Sequence, residues 1–184
     1  MDKKIILGIA GEMASGKGTV AKYLTEKHSA VGLRFSTVLR DVLDRLGIEQ
    51  SRENMQMVST SLRQSFGDDL LAKVMKGDAL KTEAELIVID GVRREPDIKY
   101  LRELPEFKLV YIEADMEKRH ERIVKRGENT DDINKTFEEF KKDHEREAEV
   151  RIKDLKAKAD FVIDNNGFFE EFYRQIDEII KKRG

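Results

Sequence analysis

The chain has 184 residues and no cysteine, so neither a disulfide framework nor a thiolate metal site is open to it. Lys and Arg total 35 against 37 Asp and Glu, a net charge of −2 that lacks the basic excess of an electrostatic nucleic-acid binder. His28, His120 and His144 lie far apart and match no metal-ligand spacing, which makes them structural or surface residues.

One domain is expected at this length, burying roughly 70% of the surface of the unfolded chain. Abundant Lys, Glu and Arg with two prolines hint at a heat-adapted source. Glycines and charges interrupt the apolar run near the start, and no run approaches the length of a membrane span. The expected setting is the cytoplasm, with no membrane, no nucleic acid and no obligate protein partner; a monomer is the default.

In chain order, the nearly all-apolar residues 4–10 read as a strand buried on both faces of a parallel sheet. A helix is expected over 17–28, a second strand over 32–36, and a helix over 37–47 with Val38, Leu39, Val42, Leu43 and Leu46 at helical spacing and Gly47 as its stop. Ser51 reads as the N-cap of a helical region reaching about Lys81, broken near Gly67 and Gly77. LIVID, 86–90, is the clearest strand. Helix over Pro96–Glu103, strand over 108–114 and an arginine-dense helix over 116–126 follow. GENTDD, 127–132, reads as a loop, 133–158 as a charged helical stretch, 160–164 as a last strand, and 168–183 as a final helix. Alternating strands and helices imply a three-layer α/β fold, doubly wound on a parallel sheet of about five strands.

Residues 11–19, GEMASGKGT, satisfy G-x-x-x-x-G-K between an expected strand and an expected helix. Gly11 and Gly16 let backbone N–H groups turn toward an anion, and Glu12, Met13, Ala14 and Ser15 complete the loop. The helix opening at Lys17 adds its positive end, and Lys17 can follow charge moving between the β- and γ-phosphates of ATP. Gly18 stands where the strict pattern has a hydroxyl, and Thr19 supplies one a position later; it is a candidate ligand of Mg²⁺, directly or through water, or a partner for a phosphate oxygen. Asp90, ending LIVID at the strand edge where ligands sit in doubly wound sheets, is the second candidate for Mg²⁺, or else a cap or turn residue. Arg93, Arg94, Arg40 and Arg63 suit an anionic acceptor, since guanidinium is always charged and makes forked contacts.

The GKGT form resembles the loop of adenylate kinase and the other nucleoside monophosphate kinases. FSTVLRDVL is similar to the segment with which those kinases hold the acceptor, which implies Ser36, Thr37 and Arg40 as acceptor-binding residues, with Arg63 and Arg93 beside them. RHERIVKRG resembles their arginine-bearing helix leading into the lid; this implies Arg122 near the donor base and Arg126 near the transferred phosphate, with Arg119 a third candidate. ADFVIDNNGFFEEFYRQIDEI is similar to the C-terminal end of dephospho-CoA kinases. The remaining segments look most like a chiefly archaeal group, dephospho-CoA-kinase-like or nucleotide-kinase-like.

The resemblance implies one P-loop kinase domain over 1–184, with 37–82 as acceptor-binding helices and about 119–145 as a short helical lid. It implies transfer of the ATP γ-phosphoryl group to a nucleoside monophosphate or related small nucleotide, with Lys17, Asp90 and Arg126 catalytic. Transfer to a hydroxyl, as in dephospho-CoA, is the alternative, and there Asp90 would be a base. A guanine-nucleotide switch would carry N-K-x-D, but Asn134-Lys135 is followed by Thr136-Phe137; a nucleotide-dependent regulatory protein of another kind and a remodelling ATPase are the remaining readings. Glu128, Asp131 and Asp132 cap the next helix or order water around Mg²⁺.

Overall fold

Three strands of uninterrupted apolar character form the centre of the sheet. In a computed structural model, which describes residues 4–126, 134–144 and 147–182, β1 (Ile5–Ala10), β3 (Leu86–Asp90) and β4 (Phe107–Glu113) lie side by side. The edge strands are β2 (Val31–Arg34) and β5 (Phe161–Asp164), giving the order β2-β3-β1-β4-β5 with every pairing parallel. Alternation along the strands divides the core into two layers. Ile6, Ile87, Ile89, Leu109 and Tyr111 face one way, while Leu7, Ile9, Val88, Val110 and Ile112 face the other.

The second of these faces packs on α1 (Lys17–His28) and α9 (Phe169–Lys181), through Val20, Leu24, Phe172 and Ile176. The first packs on Phe35 of α2 (Phe35–Leu46) and on Leu71, Met75 and Ala79 of α4 (Leu70–Lys81). Between them α3 (Arg52–Phe66) packs on both α2 and α4. Ser51 caps α3 as expected, its Oγ accepting from the Asn54 N–H at 3.1 Å. The rest are the short α5 (Glu95–Ile98), α6 (Met116–Arg126), α7 (Phe137–Asp143) and α8 (Glu147–Asp154).

The five-stranded parallel sheet with helices on both sides is the architecture the alternation implied, with local corrections. The second strand is 31–34 rather than 32–36, and α2 begins at Phe35, which puts Ser36 and Thr37 in its first turn. Gly77 does not break α4, because buried Met75 and Ala79 hold both sides of it in the core. The helix expected over Pro96–Glu103 is α5 followed by a separate 3-10 turn at Leu101–Glu103. The stretch expected to be helical over 133–158 is α7, α8 and a 3-10 turn at Leu155–Lys158, with α7 ending at Asp143. GENTDD, with Glu128, Asp131 and Asp132, lies outside the described residues. No helix among the described residues is long and apolar enough to cross a membrane.

Candidate functional site

β1 feeds its connection to β2 on one side of the sheet and β4 feeds its connection to β5 on the other, so the crevice between the carboxyl ends of β1 and β4 is a topological switch point. Residues 11–16 fill that crevice. Two of the loop's glycines are dictated by space as well as by backbone. At Gly11 (φ 149°) a Cβ would come within 2.5 Å of the Ile112 carbonyl oxygen and 2.6 Å of Ser15 Oγ. At Gly16 (φ 113°) it would meet Asn165 Nδ2 at 2.3 Å.

Each carbonyl from Gly11 to Ser15 receives a donor. Lys17 Nζ lies across the loop and donates to the carbonyls of Gly11 (2.6 Å) and Glu12 (2.8 Å). Arg119 Nη1 donates to Met13 (3.3 Å), Arg122 Nη1 to Ala14 (3.4 Å) and Asn165 Nδ2 to Ser15 (2.7 Å). The backbone is thus fixed with its acceptors occupied. The first bond of α1 runs from the Val20 N–H to the Gly16 carbonyl, so the N–H groups of Gly18 and Thr19 belong to the opening turn, where an α-helix offers them no acceptor. A helix N-terminus, a lysine and a loop whose carbonyls are occupied are the elements from which anion sites are built. Ser15 Oγ is fully buried at its base and has no hydrogen-bond partner among the described residues.

Asp90 closes β3 in register with Ile9, two residues before the loop, and its side chain is half-buried at 3.6 Å from Arg34 Nε. It shares a cleft of about 420 Å³ with Gly18, Lys22, Thr25 and Arg34. Asp90 and Thr19 offer the oxygen ligands that a hard divalent cation takes. Among the described residues no three His, Cys, Asp or Glu side chains cluster, and Mg²⁺ held chiefly by nucleotide phosphates and water needs only one or two protein oxygens.

The arginines divide into two groups. Arg119, Arg122 and Arg126 recur along one side of α6. Arg119 is buried and reaches the loop from behind, with Glu12 Oε1 at 3.2 Å as well as the Met13 carbonyl. Arg122 also donates to the Asn165 carbonyl at 2.6 Å; burial, with Arg119 beside it, lowers its pKa. Arg126 is exposed at the end of the helix.

On the opposite flank Asp97 gathers the second group. Its Oδ2 accepts from the N–H groups of Arg93 and Arg94, each at 3.1 Å, and its Oδ1 lies 3.2 Å from Arg63 Nη2. Burial raises the Asp97 pKa and Arg63 opposes that rise. Arg94 also lies 3.7 Å from Asp68. Arg40 is exposed and donates to Gln50 Oε1, while Ser36 and Thr37 follow the carboxyl end of β2.

The carboxyl edge therefore carries the loop, Lys17, Thr19, Asp90, Arg119 and Arg122, whereas Arg63 and Arg93 gather on Asp97 and Arg40 on Gln50. Sequence reasoning passed over Asn165 and Asp97. Asn165 has no local signature, since it acts on a carbonyl 150 residues away. Asp97 stands at the third position of α5, where a carboxylate accepts from the N–H groups just before it, and only its contact with Arg63 needs the fold.

The chain matches the AAA domain family (AAA_18) over residues 7–151. A UPF0200 protein of Thermococcus sibiricus is 30% identical over 186 residues, covering 98% of this chain and 96% of that one. A UPF0200/UPF0201 protein of Archaeoglobus fulgidus is 32% identical over 181 residues, 96% of this chain, and this chain spans 55% of its length. The fold is shared with a gluconokinase from Sinorhizobium meliloti 1021 (TM-score 0.60, 12% identity, 98% and 95% of the two chains). It is shared also with a shikimate kinase from Bacteroides thetaiotaomicron (TM-score 0.57, 11% identity, 97% of each chain). The architecture is that of the P-loop kinases, and with a family match across most of its length and a relative of its own size at 30% identity, the chain belongs to the AAA domain family and to the UPF0200 proteins.

Proposed function

We propose that this protein is an ATP-dependent kinase that transfers the γ-phosphoryl group to a nucleoside monophosphate or related small nucleotide. The observation that carries the proposal is that every loop carbonyl from Gly11 to Ser15 is held by a donor, two of them by Lys17 itself, at the N-terminus of α1; a polyphosphate would draw Lys17 from those carbonyls to itself. The two neighbouring structures named as gluconokinase and shikimate kinase are phosphotransferases by name, which agrees with this reading.

In such a transfer the acceptor oxygen forms a bond to phosphorus as the bond to the ADP oxygen breaks, and the protein contributes positioning and charge. Lys17 follows the charge onto the leaving oxygen. Asp90 and Thr19 would hold Mg²⁺ or its waters, and the metal would supply positive charge against the polyphosphate. Arg126, one turn beyond Arg122, serves the transferred group, and the lid that excludes water would lie within about 119–145, of which 127–133 and 145 fall outside the described residues. The region 37–82, with Ser36 before it, holds the acceptor through Thr37, Arg40 and Arg63, with Arg93 facing it. A phosphate acceptor is already ionised and needs no base.

One observation favours a hydroxyl acceptor instead. Arg63 and Arg94 are bound to Asp97 and Asp68, leaving less cationic charge for an anionic acceptor. Asp90 would then take the hydroxyl proton.

The test is ADP release from ATP and Mg²⁺ with ribo- and deoxynucleoside monophosphates, dephospho-CoA and no acceptor, using Lys17→Ala as control. One acceptor should stimulate the rate, and the variant should lose the stimulation. A rate equal to the blank with every acceptor overturns the proposal.

A further inference from the structure

Arg119 and His144 are 2% and 4% exposed, an arginine and a histidine buried against each other behind the phosphate loop. Arg119 Nη1 faces both the Met13 carbonyl and His144 Nε2, Nε donates to the Ala114 carbonyl at 3.0 Å, and Nη2 reaches Glu12 Oε1 at 3.2 Å. A guanidinium has donors only, so His144 Nε2 is the acceptor. The imidazole proton is then on Nδ1, which donates to the Phe140 carbonyl at 2.7 Å. Phe140 is fully buried, with its ring 5.8 Å from the Arg119 guanidinium carbon. Phe140 and His144 are four residues apart and present one side of α7 and its C-cap to Arg119. Lys153 of α8 approaches the same Glu12 oxygen at 3.7 Å. The guanidinium thus has the loop on one side and α7 on the other.

We propose that His144 is a positioning residue for the phosphate loop, acting through Arg119, so that seating of α7 and anion binding by residues 11–16 are one coupled event. The inference rests on the nucleotide reading above. The physical reason is the economy of Arg119. The bond to Met13 is long, 3.3 Å, and is made by the same nitrogen that His144 holds in place. Without the imidazole acceptor that nitrogen has one restraint fewer, and the loop carbonyl it steadies is free to turn inward against a phosphate. Coupling is reciprocal: the factor by which a seated α7 raises nucleotide affinity is the factor by which nucleotide stabilises α7.

The experiment titrates ADP without metal into wild type, His144→Ala and His144→Gln, and follows amide hydrogen exchange across 137–143 with and without ADP. Wild type should bind, and ADP should slow exchange in α7. His144→Ala should bind about 10-fold more weakly, and its α7 should no longer respond to ADP. His144→Gln, whose carbonyl oxygen is an acceptor near the place of Nε2, should recover most of both effects. If His144→Ala does not fold, Arg119→Lys carries the same comparison, because an ammonium lacks the fork that holds Met13 and His144 together. Wild-type affinity in the variant overturns the inference. So does weaker affinity with ADP-dependent protection of α7 intact, which is loss of stability without coupling. Failure of wild type to bind ADP overturns the nucleotide reading itself, and the inference falls with it.

Discussion

Asn165 Nδ2 donates to the Ser15 carbonyl, 150 residues away, and the same nitrogen would lie 2.3 Å from a Cβ on Gly16. The bond and the glycine are two sides of one fit. Asn165 comes close enough to hold the loop only because Gly16 has no side chain.

The loop's glycines should therefore separate sharply in mutation. Gly16→Ala forces both a positive φ and a clash, and should abolish ADP binding measured by calorimetry. Gly18 meets nothing within 4 Å of an added Cβ and lies inside α1. Gly18→Ala should keep ADP binding and gain up to about 1 kcal/mol in chemical denaturation, from helix propensity. Loss of binding in Gly18→Ala would show that a ligand, rather than the protein, requires that space.

Arg63→Ala should cost stability out of proportion to its position. Its side chain and that of Asp97 are 13% and 3% exposed, so truncation removes the nearer of two guanidinium groups from a buried carboxylate and leaves it two N–H donors and Arg94, a loss of about 2 kcal/mol in urea denaturation. A loss within the range of an ordinary surface substitution would show that water reaches Asp97.

The pH dependence of that site has a definite sign. Burial raises the Asp97 pKa above the ordinary carboxylate value, with Arg63 opposing it. Its contribution to stability is therefore fully present below the ordinary value and is lost as pH rises through the raised one. Asp97→Asn lacks this titration. The stability of wild type relative to Asp97→Asn, from urea denaturation at a series of pH values, should fall as pH rises across that interval. A rise instead would mean that the Arg63 charge outweighs burial.

Asp90→Asn should leave metal-free ADP affinity near wild type while lowering ADP release from ATP and Mg²⁺ by about 100-fold, the scale of losing one electrostatic contributor to a transition state. Equal loss in both measurements would make Asp90 a structural residue of the β3 end.

How much of this was legible in the sequence depended on how local its cause is. β1, β3 and β4 could be read because central strands buried on both faces need continuous apolar runs. β2 was misplaced because an edge strand with exposed Val31 and Arg34 has no such run, and Phe35, which looks like strand, begins a helix by packing into the core. Gly77 was read as a break since local propensity speaks against it, yet Met75 and Ala79 on either side are held by burial. In the candidate site, the spacing of Gly11, Gly16 and Lys17 was visible because loop geometry is a property of neighbours. The tethers were not. The sequence marks Arg119 only as a third candidate on an arginine-bearing helix and does not mark Asn165 at all, because what they hold is a carbonyl more than 100 residues away.

Those tethers also impose an order of assembly. Residues 11–16 precede in the chain the groups that shape them, which come from residues 119, 122 and 165. A chain made from its N-terminus therefore carries residues 11–16 for more than 100 residues before the first of those groups exists. The full set of tethers exists only once β5 has joined the sheet and Asn165 has closed on Ser15.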